Sequence, residues 1–108
     1  MADARAPRFK LCGITSLDDA RLGVESGAWA LGLIFYGRSP RACALPEAER
    51  IARELRRRVE IAGVFVNAPL EEVVATADGV RLTMVQLHGD EGPSFCSEIG
   101  RASCRERV

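Results

Sequence analysis

A nearly unbroken apolar run from Trp29 to Phe35 is the sequence feature that most constrains the fold of this chain. The run is far shorter than the ~18 residues that a membrane-spanning helix needs. It also lacks the alternation of apolar and polar residues that is typical of a strand with one face in water. It therefore predicts a strand that is covered on both faces, as in a parallel β-sheet.

The same plan recurs along the chain: a short apolar segment, a polar loop and then a helix-like pattern. Ser16 is a predicted N-cap of the first helix, Gly27 ends that helix, and Pro46 suits the first turn of the second. A third helix is predicted to begin near Pro69. Further strands are predicted at 8–12, 61–66 and 84–88. This alternation predicts an α/β fold with a parallel sheet and right-handed crossovers.

Composition excludes several classes of protein. The 15 basic and 15 acidic residues balance, which gives no indication of a nucleic acid or membrane partner. The spacing of Cys12, Cys43, Cys96 and Cys104, with His88 as the single histidine, fits neither a metal site nor a disulfide scaffold. Residues 1–7 are predicted to be a disordered leader without the apolar core of a secretory signal. We therefore expect a cytoplasmic protein with reduced thiols and no metal.

Cys12 lies in the segment Lys10–Thr15, KLCGIT, where the first predicted strand runs into a turn at Gly13. Chemistry in parallel α/β proteins collects at the carboxyl ends of the strands, so a thiol at this position is a candidate reactive group. Position alone also allows Cys12 to be one more small buried side chain. Strand alternation predicts that Lys10 and Cys12 share one face, with Phe9 and Leu11 on the other.

The end of the sequence departs from the pattern. A fourth helix is predicted to begin at Pro93, but residues 99–108 have no apolar stripe and predict no fifth strand. The segment has the character of translated vector sequence joined to an interrupted gene, and the alternative is a frayed native terminus. We expect a native region at 8–98 followed by a non-native tail at 99–108.

Four blocks, taken together in order and spacing, carry a resemblance to a known family. They are KLCGIT, GAWALGLIFYGRSPR, GVFVN and VQLHGDE, and they lie between residue 8 and about residue 96. The chain resembles phosphoribosylanthranilate isomerase of tryptophan biosynthesis. That family has a (β/α)8 TIM barrel of about twice this length, so the resemblance implies that the chain is truncated to the first four βα units.

The resemblance implies an Amadori rearrangement of a small-molecule phosphosugar–anthranilate substrate, without metal or other cofactor. N-(5-phosphoribosyl)anthranilate becomes 1-(2-carboxyphenylamino)-1-deoxyribulose 5-phosphate. Cys12 matches the family's general base, and Arg41 matches the arginine that binds the anthranilate moiety. Gln86 and His88 share a strand face and are candidate substrate-binding residues; for His88 a hydrogen-bonded structural role stays open. Cys43 and Cys96 are expected to pack in the interior, and Arg38 to lie on the surface.

The same resemblance implies that essential parts are absent from this chain. The family's general acid is an aspartate of the sixth strand, and its phosphate site follows strands seven and eight. Asp90 lies in the wrong block to replace that acid. We expect the 108-residue chain alone to be inactive and to be poorly soluble or self-associate through its unpaired sheet edges.

Three other interpretations remain open at this point. A related phosphosugar-binding barrel, such as an indole-glycerol-phosphate synthase-like domain, would use a strand lysine as acid, and Lys10 is the single lysine. An inactive truncated gene product would have no specific function. A thiol–metal module is disfavoured by the scattered cysteines.

Overall fold

The computed structural model describes residues 9–88 and the backbone of Glu106–Arg107. In chain order its elements are β1 (Lys10–Cys12), α1 (Leu17–Glu25), β2 (Ala30–Ile34), α2 (Leu45–Leu55), β3 (Glu60–Phe65), α3 (Leu70–Val80), β4 (Met84–Leu87) and β5 (Glu106–Arg107). Within the described part of the chain, no helix is long and apolar enough to cross a membrane.

All strands are parallel and lie in the order β1-β2-β3-β4-β5, which confirms the predicted parallel α/β arrangement. The predicted apolar strand from Trp29 to Phe35 is two residues longer than β2. The backbone ladder nevertheless continues past both ends of β2. The Trp29 N–H donates to Phe9 O at 3.0 Å, and the Phe35 N–H donates to Val64 O at 2.9 Å.

The tail differs from expectation. The sequence predicts no fifth strand after residue 98. This prediction is wrong, because Glu106–Arg107 pairs with Met84 and Val85 of β4. The physical reason is that an edge strand offers unpaired N–H and C=O groups, which a backbone of any sequence can meet. The leader at 1–7 and the helix predicted from Pro93 lie outside the described residues.

The three helices all pack on one face of the sheet. Strands in sequential order joined by right-handed crossovers place every helix on the same side. The strand residues that join the helices in the core are Leu31, Leu33, Ile61, Phe65 and Val85. Helix residues in the same core are Ala20, Ala48, Ile51, Ala52, Leu55, Val73, Ala77 and Val80.

The opposite side of the sheet, which we call the inner face, is lined by the alternate strand residues. Small residues dominate its centre: Ala30, Gly32 and Ala62 are all buried. The other members of the inner face are Lys10, Cys12, Ile34, Val64, Met84 and Gln86. Small side chains on this face and large ones on the helix face suit a sheet that curves away from its helices.

Local signals explain where α1 begins and ends. The Ser16 Oγ accepts a hydrogen bond from the Asp19 N–H at 3.2 Å, as predicted for an N-cap. The Leu17 N–H, also free at the helix start, donates to Glu47 Oε2 of α2 at 2.8 Å. After the helix, Gly27 has φ +94°, which favours glycine because it has no Cβ.

Gly63 and Gly79 provide a matched test of the packing between sheet and helices. A methyl group added at Gly63 would lie 2.4 Å from Leu82 Cδ1, whereas nothing lies within 4 Å of one added at Gly79. We expect Gly63→Ala to lower the free energy of unfolding by about 1–3 kcal/mol through overpacking. Gly79→Ala, on the exposed side of α3, should raise it by up to about 1 kcal/mol. Denaturant unfolding measures both, and changes of the same sign would contradict this description of the core.

Candidate active site

Cys12 lies at the last position of β1, and its side chain is exposed. Leu11, next to it in the strand, is half-buried and packs against the helix-side core. The predicted alternation is therefore confirmed for Leu11, Lys10 and Cys12. Phe9 is still 39% exposed, although its ring lies near Gly27 at the end of α1. The thiol is thus on the inner face, at the carboxyl-terminal edge of the sheet.

Gly32 of β2 pairs with Cys12 and provides the room that its side chain occupies. A methyl group at Gly32 would lie 3.0 Å from the Cys12 sulfur and 3.1 Å from Lys10 Cε. Any larger residue would displace one of these two side chains. Gly32 was missed in the sequence, although a glycine within an apolar strand signals close approach of another group and could have identified it.

A tight turn follows Cys12. Gly13 has φ +86°, and its N–H and that of Ile14 both donate to Gly32 O, at 3.0 and 3.1 Å. The Arg41 side chain lies directly over this turn: a methyl group at Gly13 would be 3.0 Å from both Arg41 Cδ and Nη1. Two features therefore require glycine at position 13: the positive φ angle of the backbone and the Arg41 guanidinium above it.

The loop that carries Arg41 folds back onto the end of β2. The Cys43 N–H donates to Ile34 O at 2.7 Å, and Ala42 forms a parallel bridge with Ile34. The Arg41 N–H donates to the Ser39 Oγ at 3.2 Å. These contacts fix the loop backbone beside β1, so that a residue 29 positions after Cys12 in the sequence lies over the turn that follows it.

A second polar group crosses the inner face. The Lys10 Nζ donates a hydrogen bond to Gln86 Oε1, and Gln86 Nε2 lies 2.6 Å from His88 Nε2. His88 is anchored through its backbone N–H, which donates to Phe65 O at 2.9 Å. The shared face predicted for Gln86 and His88 is confirmed by their contact. The link to Lys10 was missed, because nothing in the local sequence connects residues 76 positions apart.

The structure thus brings the four predicted site residues to the carboxyl-terminal end of the strands, where they form two groups. These residues are Cys12, Arg41, Gln86 and His88. Arg41 reaches the turn after Cys12, and His88 is linked through Gln86 to Lys10, which shares the space above Gly32 with Cys12. Arg38 is exposed, as expected. Among the described residues, no three or more His, Cys, Asp or Glu side chains are grouped as a metal site would require.

A surface groove of about 310 Å³ lies away from this edge, between α2 and α3. Three arginines line it near the carboxyl ends of the two helices, where cations complement the helix dipole. The lining residues are Glu49, Arg53, Arg56, Gly79, Val80 and Arg81. Its position and charge are those of a solvated helix face, as the charge pattern of α2 predicts.

Comparison with known proteins places this geometry in a family. The sequence profile described as PRAI, N-(5'phosphoribosyl)anthranilate (PRA) isomerase, matches residues 9–107. The chain belongs to this family. The N-(5'-phosphoribosyl)anthranilate isomerase of Citrifermentans bemidjiense is 49% identical over 94 residues, which are 87% of this chain and 46% of that protein. The chain therefore spans about half the length of the curated relatives it matches.

Solved structures of PRA isomerases agree. The phosphoribosyl anthranilate isomerase of Thermotoga maritima superposes with a TM-score of 0.85 at 45% identity, covering 89% of this chain and 47% of that one. A PRA isomerase in complex with reduced 1-(o-carboxyphenylamino)-1-deoxyribulose 5-phosphate gives the same TM-score and identity, covering 89% and 50%. The isomerase of Pyrococcus furiosus, at 22% identity and a TM-score of 0.82, shows the shared fold.

The two described cysteines of this chain differ in environment. Cys43 is buried, as expected, and burial, with a smaller contribution from the Glu47 carboxylate, raises the pKa of its thiol to about 11. Only roughly 10⁻⁴ of Cys43 is then thiolate at pH 7. Since the thiolate is the reactive form, Cys43 is unsuited to act as a base or nucleophile at that pH.

Alkylation should separate the two thiols. We expect iodoacetamide at pH 7 to modify exposed Cys12 well before Cys43 in the folded chain, as measured by peptide mass mapping. Because the folded-state pKa of Cys43 is raised, its reactivity should increase only as the pH rises toward 11. In denaturant, where burial is lost, both should react at similar rates. Equal rates in the folded chain at neutral pH would contradict this difference.

Proposed function

We propose that this chain supplies the first four βα units of a (β/α)8 barrel, and that the complete barrel is a PRA isomerase of tryptophan biosynthesis. The observation that carries the proposal is the position of Arg41 over Gly13, the residue that follows Cys12, at one strand end of a family fold. The coverage of 46% of a curated relative supports the division into halves.

The curvature of the sheet also supports a barrel. In a flat sheet, the three inter-strand steps from β1 to β4 would separate the two backbones by about 14 Å. The Lys10 and Gln86 side chains nevertheless meet across the inner face. Since the three described helices lie on one side, closure of the sheet on itself would cover the other side. Four further units would complete that closure.

In the reaction we propose, the substrate's furanose ring opens when an acid protonates the ring oxygen, and C1 becomes a protonated imine of the anthranilate nitrogen. The Cys12 thiolate then removes the proton from C2. The electron pair of that C–H bond forms the C1–C2 double bond, and the imine nitrogen takes up the displaced pair. Ketonisation of the resulting enol, with a proton added at C1, gives the aminoketose. A thiolate suits the second step because its pKa can be near the operating pH.

Arg41 is proposed to bind the anthranilate part of the substrate. A guanidinium can pair with a carboxylate through two hydrogen bonds and can stack on an aromatic ring. The packing of Arg41 on Gly13 supports this role, because it holds the positive charge beside the turn that follows Cys12. Gln86 and His88 are proposed to contribute to binding of the sugar part.

The second candidate is that the 108-residue chain by itself has no activity. The general acid and the phosphate loops of the family belong to the later strands, so the isolated chain would hold a base without its partner acid. Its expected self-association through the open β1 edge also stays a prediction, as do the cytoplasmic location and the non-native origin of residues 99–108.

Completing the barrel tests the proposal. The part of the Thermotoga maritima enzyme that this chain does not cover would be co-expressed with residues 1–98. We expect neither half alone to turn over the substrate and the pair to do so. Cys12→Ala in the pair should lower kcat by about 10²–10⁴-fold, the range for loss of a general base, with circular dichroism unchanged. A pair that is folded but inactive, or a Cys12→Ala pair with full activity, would contradict the proposed role.

Arg41 and Arg38 form a matched pair for the anthranilate contact. Arg41→Ala in the completed barrel should remove a charge-assisted interaction of about 1.5–3 kcal/mol. This corresponds to a rise in KM of roughly 10- to 150-fold. Arg38→Ala, from the same loop and exposed, should leave KM unchanged. Steady-state kinetics measure both, and similar effects of the two changes would contradict a specific contact between Arg41 and the anthranilate part.

A further inference from the structure

We propose that Gln86 is a positioning residue that holds His88 as a neutral imidazole with its proton on Nδ1. His88 would then offer a ligand an N–H donor and would not act as a second base beside Cys12. The statement about the tautomer stands on the contacts of this chain alone. The statement about the ligand rests on the proposed isomerase function.

The first step is the orientation of the Gln86 amide, which Lys10 determines. An ammonium group has only donors, so the amide atom that meets Lys10 Nζ must be the acceptor, Gln86 Oε1. The amide is planar, and its other terminal atom is the NH₂ group, which can only donate. Lys10 therefore fixes which end of Gln86 faces the histidine.

The second step is the state of His88. Its Nε2 lies 2.6 Å from Gln86 Nε2, within hydrogen-bond distance. Since the amide nitrogen donates, His88 Nε2 must accept, and its proton must be on Nδ1. A doubly protonated imidazole, or the Nε2–H tautomer, would oppose two N–H groups at this distance. Free neutral histidine in water prefers the opposite tautomer, with the proton on Nε2.

The third step is the rigidity of the three groups. Lys10 is in β1, and its side chain passes over Gly32 of β2, with Cε 3.1 Å from the position that a methyl group there would take. Gln86 is in β4, and the His88 backbone is bonded to Phe65 O of β3. Because the three groups are attached to three strands, the hydrogen bonds keep one direction: Lys10 donates to Gln86, and Gln86 donates to His88.

The direction of these hydrogen bonds gives Cys12 and His88 different roles in the proposed site. Proton removal falls to Cys12, and His88 Nδ1–H can donate to a hydroxyl or carboxylate oxygen of a phosphosugar substrate. Gln86 acts through His88 and does not itself need to touch the reacting atoms.

The single histidine makes the tautomer directly measurable. A chain labelled with ¹⁵N-histidine gives signals from one imidazole, and magic-angle-spinning NMR reads them from monomeric or self-associated material. At mildly alkaline pH, where a typical imidazole is neutral, we expect the Nδ1 signal to be that of a protonated nitrogen and the Nε2 signal that of an unprotonated one. The reverse pattern overturns the proposal without any variant.

Gln86→Glu should reverse the tautomer. The introduced carboxylate still accepts from Lys10 but can only accept from the imidazole, so the histidine proton should move to Nε2. Ala75→Glu adds the same charge on the exposed side of α3 and should leave the wild-type signals unchanged. Lys10→Met removes the group that orients the amide, and we expect signals of both tautomers. An unchanged Nδ1–H tautomer in both Gln86→Glu and Lys10→Met would overturn the proposal.

The completed barrel tests the ligand statement separately. Gln86→Glu would take away the Nδ1–H donor, and we expect KM to rise by roughly 5- to 50-fold, with kcat reduced less than in Cys12→Ala. Unchanged kinetics with a reversed tautomer would overturn the donor role of His88 and leave the isomerase proposal intact. A completed wild-type barrel without turnover would count against the proposed function, while the NMR result would still decide the tautomer.

Discussion

The curvature of the parallel sheet is the constraint on which the rest of the described structure depends. Sequential strand order with right-handed crossovers places all three helices on one side, and their large apolar partners, such as Leu31 and Ile61, fill that side. The inner face then has room only for small residues at its centre, Ala30, Gly32 and Ala62. The longer polar side chains of Lys10, in β1, and Gln86, in β4, meet across this face. Curvature of the sheet brings them within reach of each other.

Two glycines leave the space that the side chains of the candidate site need. Gly32 leaves space on the inner face that Cys12 and Lys10 occupy together. Gly13 turns the chain immediately after Cys12 and lets the Arg41 guanidinium approach the backbone. Glycine loses more conformational freedom on folding than any other residue, so each of these two positions carries an entropic cost. That cost is offset by the close approach of a thiol and two cations, which no larger residue would allow.

Much of this was predictable from the sequence because it depends on period and position. Alternation placed Lys10 and Cys12 together, and the continuous apolar run at Trp29–Phe35 identified a strand buried on both faces. Contacts set by tertiary geometry were not predictable: Lys10 with Gln86, and Glu47 with the start of α1. The pairing at 106–107 was missed for a different reason, because backbone hydrogen bonds at a sheet edge require no side-chain pattern.

The hydrogen bonds of the inner face also limit the roles that its side chains can take in the proposed reaction. The Lys10 ammonium can only donate, so it fixes the direction of both hydrogen bonds: Lys10 donates to Gln86, and Gln86 donates to His88. His88 therefore presents a proton on Nδ1 and cannot receive one through Nε2. Burial keeps Cys43 as a neutral thiol. Of these three side chains, Cys12, His88 and Cys43, exposed Cys12 is the one that fits the proposed role of proton acceptor. The proposed isomerisation also needs an acid opposite that base, and we propose that the later strands of the barrel supply it.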